Sequence, residues 1–382
     1  MAGIYIHIPY CRQLCYYCDF HFSLSPRDKD EMLTAILREI QLRKDYLNGD
    51  EQAKTRSRDI ATLYFGGGTP SILELTDIRA ILDKIHSLFS VPTDAEITLE
   101  ANPDDLTPDY LSGLKTLGIN RLSIGIQSFH DSELRVMNRR HTTRQALHAI
   151  ENALSSGFRN ITIDLIYGLP DSTPNTWRHS LEKALAFPVP HLSCYHLGFE
   201  ERTAFAHFGK KGKLHPVSDD NSWAQYQLLC EEMKSAGYQH YEISNFARQG
   251  WRSRHNMACW RGLPYLGIGP AAHSFDGKSR QWNIAHNLKY RERVSRGAGF
   301  YEMEIPTKKE KFHDYLLTRL RTREGIDLLY LQENFPEFYP AFHGELVRYL
   351  DTDLLEMKGD TFFLTEKGMF RSDGIIVRLM RD

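Results

Sequence analysis

Cys11, Cys15 and Cys18 fall within eight residues, whereas Cys194, Cys230 and Cys259 are scattered. In a chain that opens on strand-like Gly3–Ile8 rather than on a signal peptide, such clustering points to a metal site rather than to disulfides. Three thiolates on one short loop can ligate three irons of a cubane cluster and leave the fourth iron without a protein ligand. That open iron suits chelation by the amino-acid end of S-adenosylmethionine (SAM), whose sulfonium the reduced cluster can cleave to a radical. The rival is a Cys3His zinc site completed by His21. Motifs suited to a cofactor at other strand ends, and Tyr17 as an aromatic edge fit to face an adenine, favour the cluster.

A second candidate lies far along the chain, in His255-Asn256-Met257-Ala258-Cys259-Trp260. Imidazole is the common protein ligand of heme iron, and a histidine held only by hydrogen bonds is the plain alternative. Between Arg248 and Arg296 ten Lys/Arg stand against two acids, with Trp251, Trp260 and Trp282 interleaved. Arginine forks and aromatic planes suit a porphyrin with its propionates. They also suit stacked RNA bases, or the charges form a solvated face. No Cys-x-x-Cys-His is present, which argues against covalent heme attachment.

The elements that must position these residues alternate. Strands are expected at Gly3–Ile8, Ile60–Phe65, Ala95–Glu100, Arg121–Gln127, Asn160–Tyr167 and His191–Leu197. Helical patterns fall near 28–47, 75–89, 107–117, 142–156 and 174–187, and Thr107-Pro108 and Thr173-Pro174 read as N-cap followed by proline. Strand–helix alternation predicts parallel βαβ units, here a partial (β/α)6 TIM-type barrel within an α/β fold. Polar and glycine-rich loops at the strands' C-terminal ends are expected to meet in one pocket. Beyond residue 200 the repeat fades into an irregular stretch from Asn245 to Gly299. The tail reads as helices near 310–323, 327–334 and 338–350, a hairpin at Leu354–Leu364 and a last helix, which is a small winged-helix-like α+β domain. Ten Lys/Arg against fourteen Asp/Glu over residues 310–382 make it a poor phosphate binder, so it is read as a structural or protein-contact cap. The expected division is a core barrel over 1–200 with the cluster loop at 9–21, an extension over 201–305 that carries the heme motif, and the cap over 306–382.

Cys-x3-Cys-x2-Cys with an aromatic before the third cysteine is the radical SAM signature. With Tyr5-Ile6-His7-Ile8-Pro9-Tyr10, Phe65-Gly66-Gly67-Gly68-Thr69-Pro70, Gly125-Ile126-Gln127-Ser128-Phe129 and Asp164-Leu165-Ile166-Tyr167-Gly168-Leu169-Pro170, the chain resembles oxygen-independent coproporphyrinogen III oxidases and their relatives, the HemW-type heme chaperones. The resemblance implies that Gly67, Gly68 and Thr69 lie along the aminocarboxylate of SAM. Glu100, Gln127, Arg139 and Asp164 then line its pocket, with Tyr5 and Tyr17 beside it. Phe20 stands where the oxidase continues to a further cysteine, and only ten residues precede Cys11; both features match the HemW branch. That branch implies heme binding through the histidine of His-Asn-x-x-Tyr-Trp, here His255, with Cys259 in place of the motif's tyrosine. It further implies a heme-acceptor protein, a homodimer when the cluster is present, and a membrane protein as a transient partner.

Composition narrows the classes. Net charge is −2 and pI about 6.8, so nothing global suggests nucleic acid, and no apolar run reaches the roughly eighteen residues of a membrane span. The expected setting is the cytosol. The alternatives to a heme chaperone are a working coproporphyrinogen III oxidase and a radical SAM enzyme that modifies RNA.

Overall fold

The computed structural model describes residues 2–48, 59–350 and 352–380. Strands β1 (Ala2–Ile8), β2 (Ile60–Gly67), β3 (Glu96–Ala101), β4 (Arg121–Gln127), β5 (Asn160–Tyr167) and β6 (His191–His196) pair in chain order, all parallel. Between them run α1 (Lys29–Leu42), α2 (Leu75–Leu88), α3 (Pro108–Thr116), α4 (Asp131–Val136), α5 (Thr143–Ser155) and α6 (Pro174–Leu185). Thr107 and Thr173 cap α3 and α6 as read, each accepting a backbone N–H from the residue three places on.

Alternation along the strands builds the barrel. Ile4, Ile6, Ile8, Leu63, Phe65, Leu122, Ile124, Ile161 and Ile163 form a buried outer layer under the helices. Residues of the opposite parity face inward, and they are polar: Thr62, Glu96, Glu100, Arg121, Ser123, Thr162, Asp164 and His191. The strands therefore enclose a polar lumen instead of a packed apolar one.

The chain continues through α7 (Ala204–Lys210), α8 (Asp219–Ser235), β7 (Gln239–Glu242), β8 (Asn245–Ala247), α9 (Arg254–Trp260), β9 (Tyr265–Ile268), β10 (His273–Phe275), β11 (Arg280–Asn283), α10 (Asn287–Arg296) and β12 (Tyr301–Glu304). β8 and β7 extend the sheet beyond β6, while β9 pairs parallel to β1 and leads into antiparallel β10, β11 and β12, giving twelve strands. The stretch read as irregular is thus part of the main sheet. Its strands span only three or four residues, too few for an alternating pattern to show.

The tail forms α11 (Lys308–Leu320), β13 (Ile326–Asp327), α12 (Leu328–Asn334), α13 (Tyr339–Leu350), β14 (Leu355–Lys358), β15 (Thr361–Leu364), α14 (Glu366–Phe370) and α15 (Ser372–Leu379). Helix, strand, two helices and a hairpin is the winged-helix order, and the expected last helix is two short ones. Among the described residues no helix is long and apolar enough to cross a membrane.

One buried carboxylate ties α1 to the sheet extension. Glu39 accepts hydrogen bonds from Gly269 N (2.8 Å), Asn283 Nδ2 (2.8 Å) and Tyr290 Oη, with Arg43 Nη1 at 3.4 Å. A buried charge is tolerable only when its donors are all present. Tyr290→Phe removes one donor and is expected to cost about 1–3 kcal/mol in urea denaturation. An unchanged midpoint would mean that Glu39 does not depend on it.

Candidate functional site: two joined cavities

The cysteine loop leaves β1 and is clamped from several elements. Cys11 N donates to Ser23 O (3.0 Å), Tyr16 N to Met137 O (3.1 Å), and Asn138 Nδ2 to Leu14 O (2.6 Å). Two of the three sulfurs receive side-chain hydrogen bonds: Thr69 Oγ1 donates to Cys11 Sγ (3.4 Å) and Arg139 Nη1 to Cys15 Sγ (3.3 Å). Donors of this kind tune an iron–sulfur centre. Among the described residues no three His, Cys, Asp or Glu side chains converge on a point as a single ion requires. His21 Nε2 is instead hydrogen-bonded to Asn287 Oδ1 at 2.7 Å. The zinc reading loses its fourth ligand, whereas three irons need only one thiolate each.

The three cysteines open on a cavity of about 410 Å³ at the C-terminal ends of the strands. Tyr17, Gly67, Gly68, Thr69, Glu100, Gln127, Arg139 and Asp164 all line it, so the structure brings together every residue assigned to this pocket except Tyr5. The glycines are sterically required. Gly67 has φ +105°, and a Cβ on Gly68 would lie 2.6 Å from Tyr10 O. Gln127 sits at φ +67°, where the β4–β5 register slips, and this turns it toward the cavity. Arg139 Nη2 donates to Asn102 Oδ1 and Gly125 O, both at 2.7 Å. Desolvation pushes the Glu100 carboxyl up to about 7 and that of Asp164 up to about 6, against the hydrogen bonds from Tyr64 and Ser123.

A second cavity, of about 870 Å³, adjoins the first: Cys18, Phe20, Phe22 and Glu100 line both. Tyr5 lines this second cavity, next to Tyr64 and to Glu100, which both cavities share. His255 is on this wall. Its Nδ1 is bonded to Thr62 Oγ1 (2.8 Å), and its ring lies 5.0 Å from Tyr64 and 6.5 Å from Tyr5. Its Nε2 has no hydrogen-bond partner among the described residues. Burial pulls the imidazole down to about 4, so it is neutral at pH 7. The N-terminus of α9 is held by a carboxylate: Glu96 accepts from Arg254 N (3.1 Å) and His255 N (3.0 Å). Cys259 also lines this cavity, with its thiol pushed up to about 11 by burial.

The family model of the Radical SAM superfamily matches residues 5–184. The protein named Heme chaperone HemW in Bacillus subtilis is 32% identical, over 96% of this chain and 96% of its own length. Its Mycobacterium tuberculosis namesake is 32% identical over 99% and 94%. The chain belongs to the HemW family. Radical SAM membership implies a 4Fe-4S cluster and SAM. Coproporphyrinogen III oxidase (HemN) from Escherichia coli, a radical SAM enzyme, aligns with a TM-score of 0.83 over 99% of this chain and 89% of its own, at 24% identity; the two share the fold.

In this HemW-family chain the basic stretch is largely spent on internal pairs. Arg261 meets Glu324 at 2.9 Å, Arg280 meets Asp314 at 3.0 Å, Arg291 meets Asp28 at 3.3 Å, and Arg248 lies 4.8 Å over the Tyr238 ring. Trp282 Nε1 donates to Glu302. Paired guanidiniums neutralise few phosphates, which weakens the RNA reading.

Thr62, Glu96 and Ser123 escaped the sequence reading. Each is a polar residue on or just after a strand of apolar alternation, and that parity is the signal that could have found them.

Glu100 gives a testable pH dependence. Unfolded, it ionises near 4.5; folded, near 7. Its contribution to stability is therefore full below pH 4.5 and is lost as pH rises through 7, by on the order of 3 kcal/mol. Glu100→Gln of the apo-protein is expected to melt higher than wild type at pH 8, with the gap closing by pH 5. A gap constant across that range would contradict the assignment.

Proposed function

We propose that this chain is a heme chaperone that binds heme at His255 and transfers it to an acceptor protein. The observation that carries the reading is the imidazole itself. Nδ1 is engaged by Thr62 Oγ1, which leaves Nε2 as the ring nitrogen for a cavity large enough for a planar macrocycle, and the hydrogen bond fixes the ring as ligating histidines require. The names of the relatives support heme as the cargo. Cys259, whose thiol is pushed up to about 11 and so stays protonated at pH 7, is the weaker donor and leaves His255 as the ligand on α9; Tyr5 belongs to the heme side.

In the same proposal Cys11, Cys15 and Cys18 hold the 4Fe-4S cluster. Gly67, Gly68 and Thr69 receive the carboxylate of SAM, Tyr17 and Gln127 flank it, and Glu100, Asp164 and Arg139 supply charge. When bound, the cluster supplies an electron to the SAM sulfonium. The side chains orient SAM and keep water from it. Because Cys18 and Glu100 line both cavities, SAM and heme occupy neighbouring space, which fits a cluster that gates heme transfer. The cytosolic setting, the homodimer and the transient membrane-protein partner rest on the family resemblance.

Heme titration of the anaerobically reconstituted protein is the test. Wild type should show a saturable absorption change at about one heme per chain. His255→Ala should lose it, and Thr62→Val should weaken it by about 10–100-fold. Equal uptake by wild type and His255→Ala would overturn the assignment, and protoporphyrinogen formation in anaerobic turnover would turn the reading to the oxidase.

A further inference from the structure

With His255 as a heme ligand, a reading on which this inference rests, one face of the iron is accounted for. Four histidines line the 870 Å³ cavity: His7, His21, His255 and His273. Two of the others are committed. His7 places Nδ1 3.3 Å from Tyr5 Oη and Nε2 2.9 Å from His21 O, and His21 spends Nε2 on Asn287. His273 differs. Neither of its ring nitrogens makes a hydrogen bond among the described residues; its ring lies 6.4 Å from that of Trp282 on the next strand.

The backbone that presents His273 is held more firmly than a free surface histidine needs. Gly269 N donates to the buried carboxylate of Glu39 (2.8 Å), Asn283 Nδ2 donates to Gly269 O (2.8 Å), and Asn283 N donates to Ala272 O (2.9 Å). Ala271 takes a left-handed φ of +62°, a conformation that costs about 1–3 kcal/mol for a residue with a side chain. The main chain of His273 also crosses so close to β9 that a Cβ on Gly267 would fall 2.0 Å from its carbonyl oxygen. Gly267 is the register partner of Tyr5, whose ring neighbours His255. The strained, anchored turn thus carries an imidazole with both nitrogens free onto the cavity that holds His255.

We propose that His273 is the second protein ligand of the heme iron, on the face opposite His255. Two imidazoles give a strong axial field, so the ferric complex is six-coordinate and low-spin. Rigid presentation keeps the free imidazole on the wall of the cavity that His255 also lines, and release of one ligand offers a route for handing heme on.

The test uses full-length, cluster-reconstituted protein loaded with ferric heme, read by absorption and electron paramagnetic resonance. Wild type should be low-spin. His273→Ala and His273→Gln should keep about one heme per chain but turn high-spin, and added imidazole should restore the low-spin spectrum of His273→Ala. Unchanged iron and sulfide content certifies the fold of both variants. Low-spin spectra in both variants, or a high-spin wild type, would overturn this inference and leave His255 in place. Absence of saturable heme uptake by wild type would overturn both readings together.

Discussion

Side chains on a strand point alternately to its two faces, and here one face is given to isoleucine and leucine while the other is given to charge and hydroxyl. Everything in the site follows from that division. The apolar face gathers the helices and closes the core. The inner face gathers Glu96, Glu100, Arg121, Ser123, Thr162 and Asp164 in a lumen where each group is tied to another. Arg121, almost wholly buried, bonds Thr162 and lies 3.9 Å from Glu96, while Ser123 donates to Asp164 at 2.9 Å. Slipping one strand by a residue would put these groups against the helices and isoleucines in the lumen.

The lumen also explains how two sites can share one barrel. At the C-terminal strand ends the cysteine loop and the glycine turn enclose the smaller cavity. From the strands' N-terminal side α9 enters, with Glu96 on its first amides and Thr62 on its histidine. Gly3 makes room for it, since a Cβ there would lie 3.2 Å from His255 Nδ1. Strand β3 thus carries a carboxylate for each site, Glu96 for α9 and Glu100 for the cavity wall.

The C-terminal domain reaches the same barrel through aromatic contact. Phe370 packs 5.1 Å from Trp223 and 5.3 Å from Tyr226, and His196 at the end of β6 lies between that cluster and the cysteine cavity. Backbone hydrogen bonds add to this contact: Ile243 N donates to Arg321 O (2.9 Å) and Arg323 N donates to Tyr241 O (3.0 Å).

Much of this was legible in the chain because the signals are local. Cys11, Cys15 and Cys18 carry their spacing in one loop, Gly67 and Gly68 announce a tight turn, and β1 to β6 are long enough for alternation to mark them. Threonine–proline pairs located two helices for the same reason. What stayed hidden depends on residues far apart. Thr62 meets His255 across 193 positions, and the acids that neutralise Arg261, Arg280 and Arg291 come from other elements. Tyr5 could be placed on a strand but not in a cavity, because which cavity a strand residue faces is set by the element packed against it. The four-residue strands that widen the sheet are held by pairing rather than by their own pattern. Sequence by itself determined the chemistry and the barrel, since spacing and alternation are properties of neighbouring residues. Tertiary structure alone decided which histidines face one cavity and which charges remain free, since burial and pairing exist only once distant segments meet.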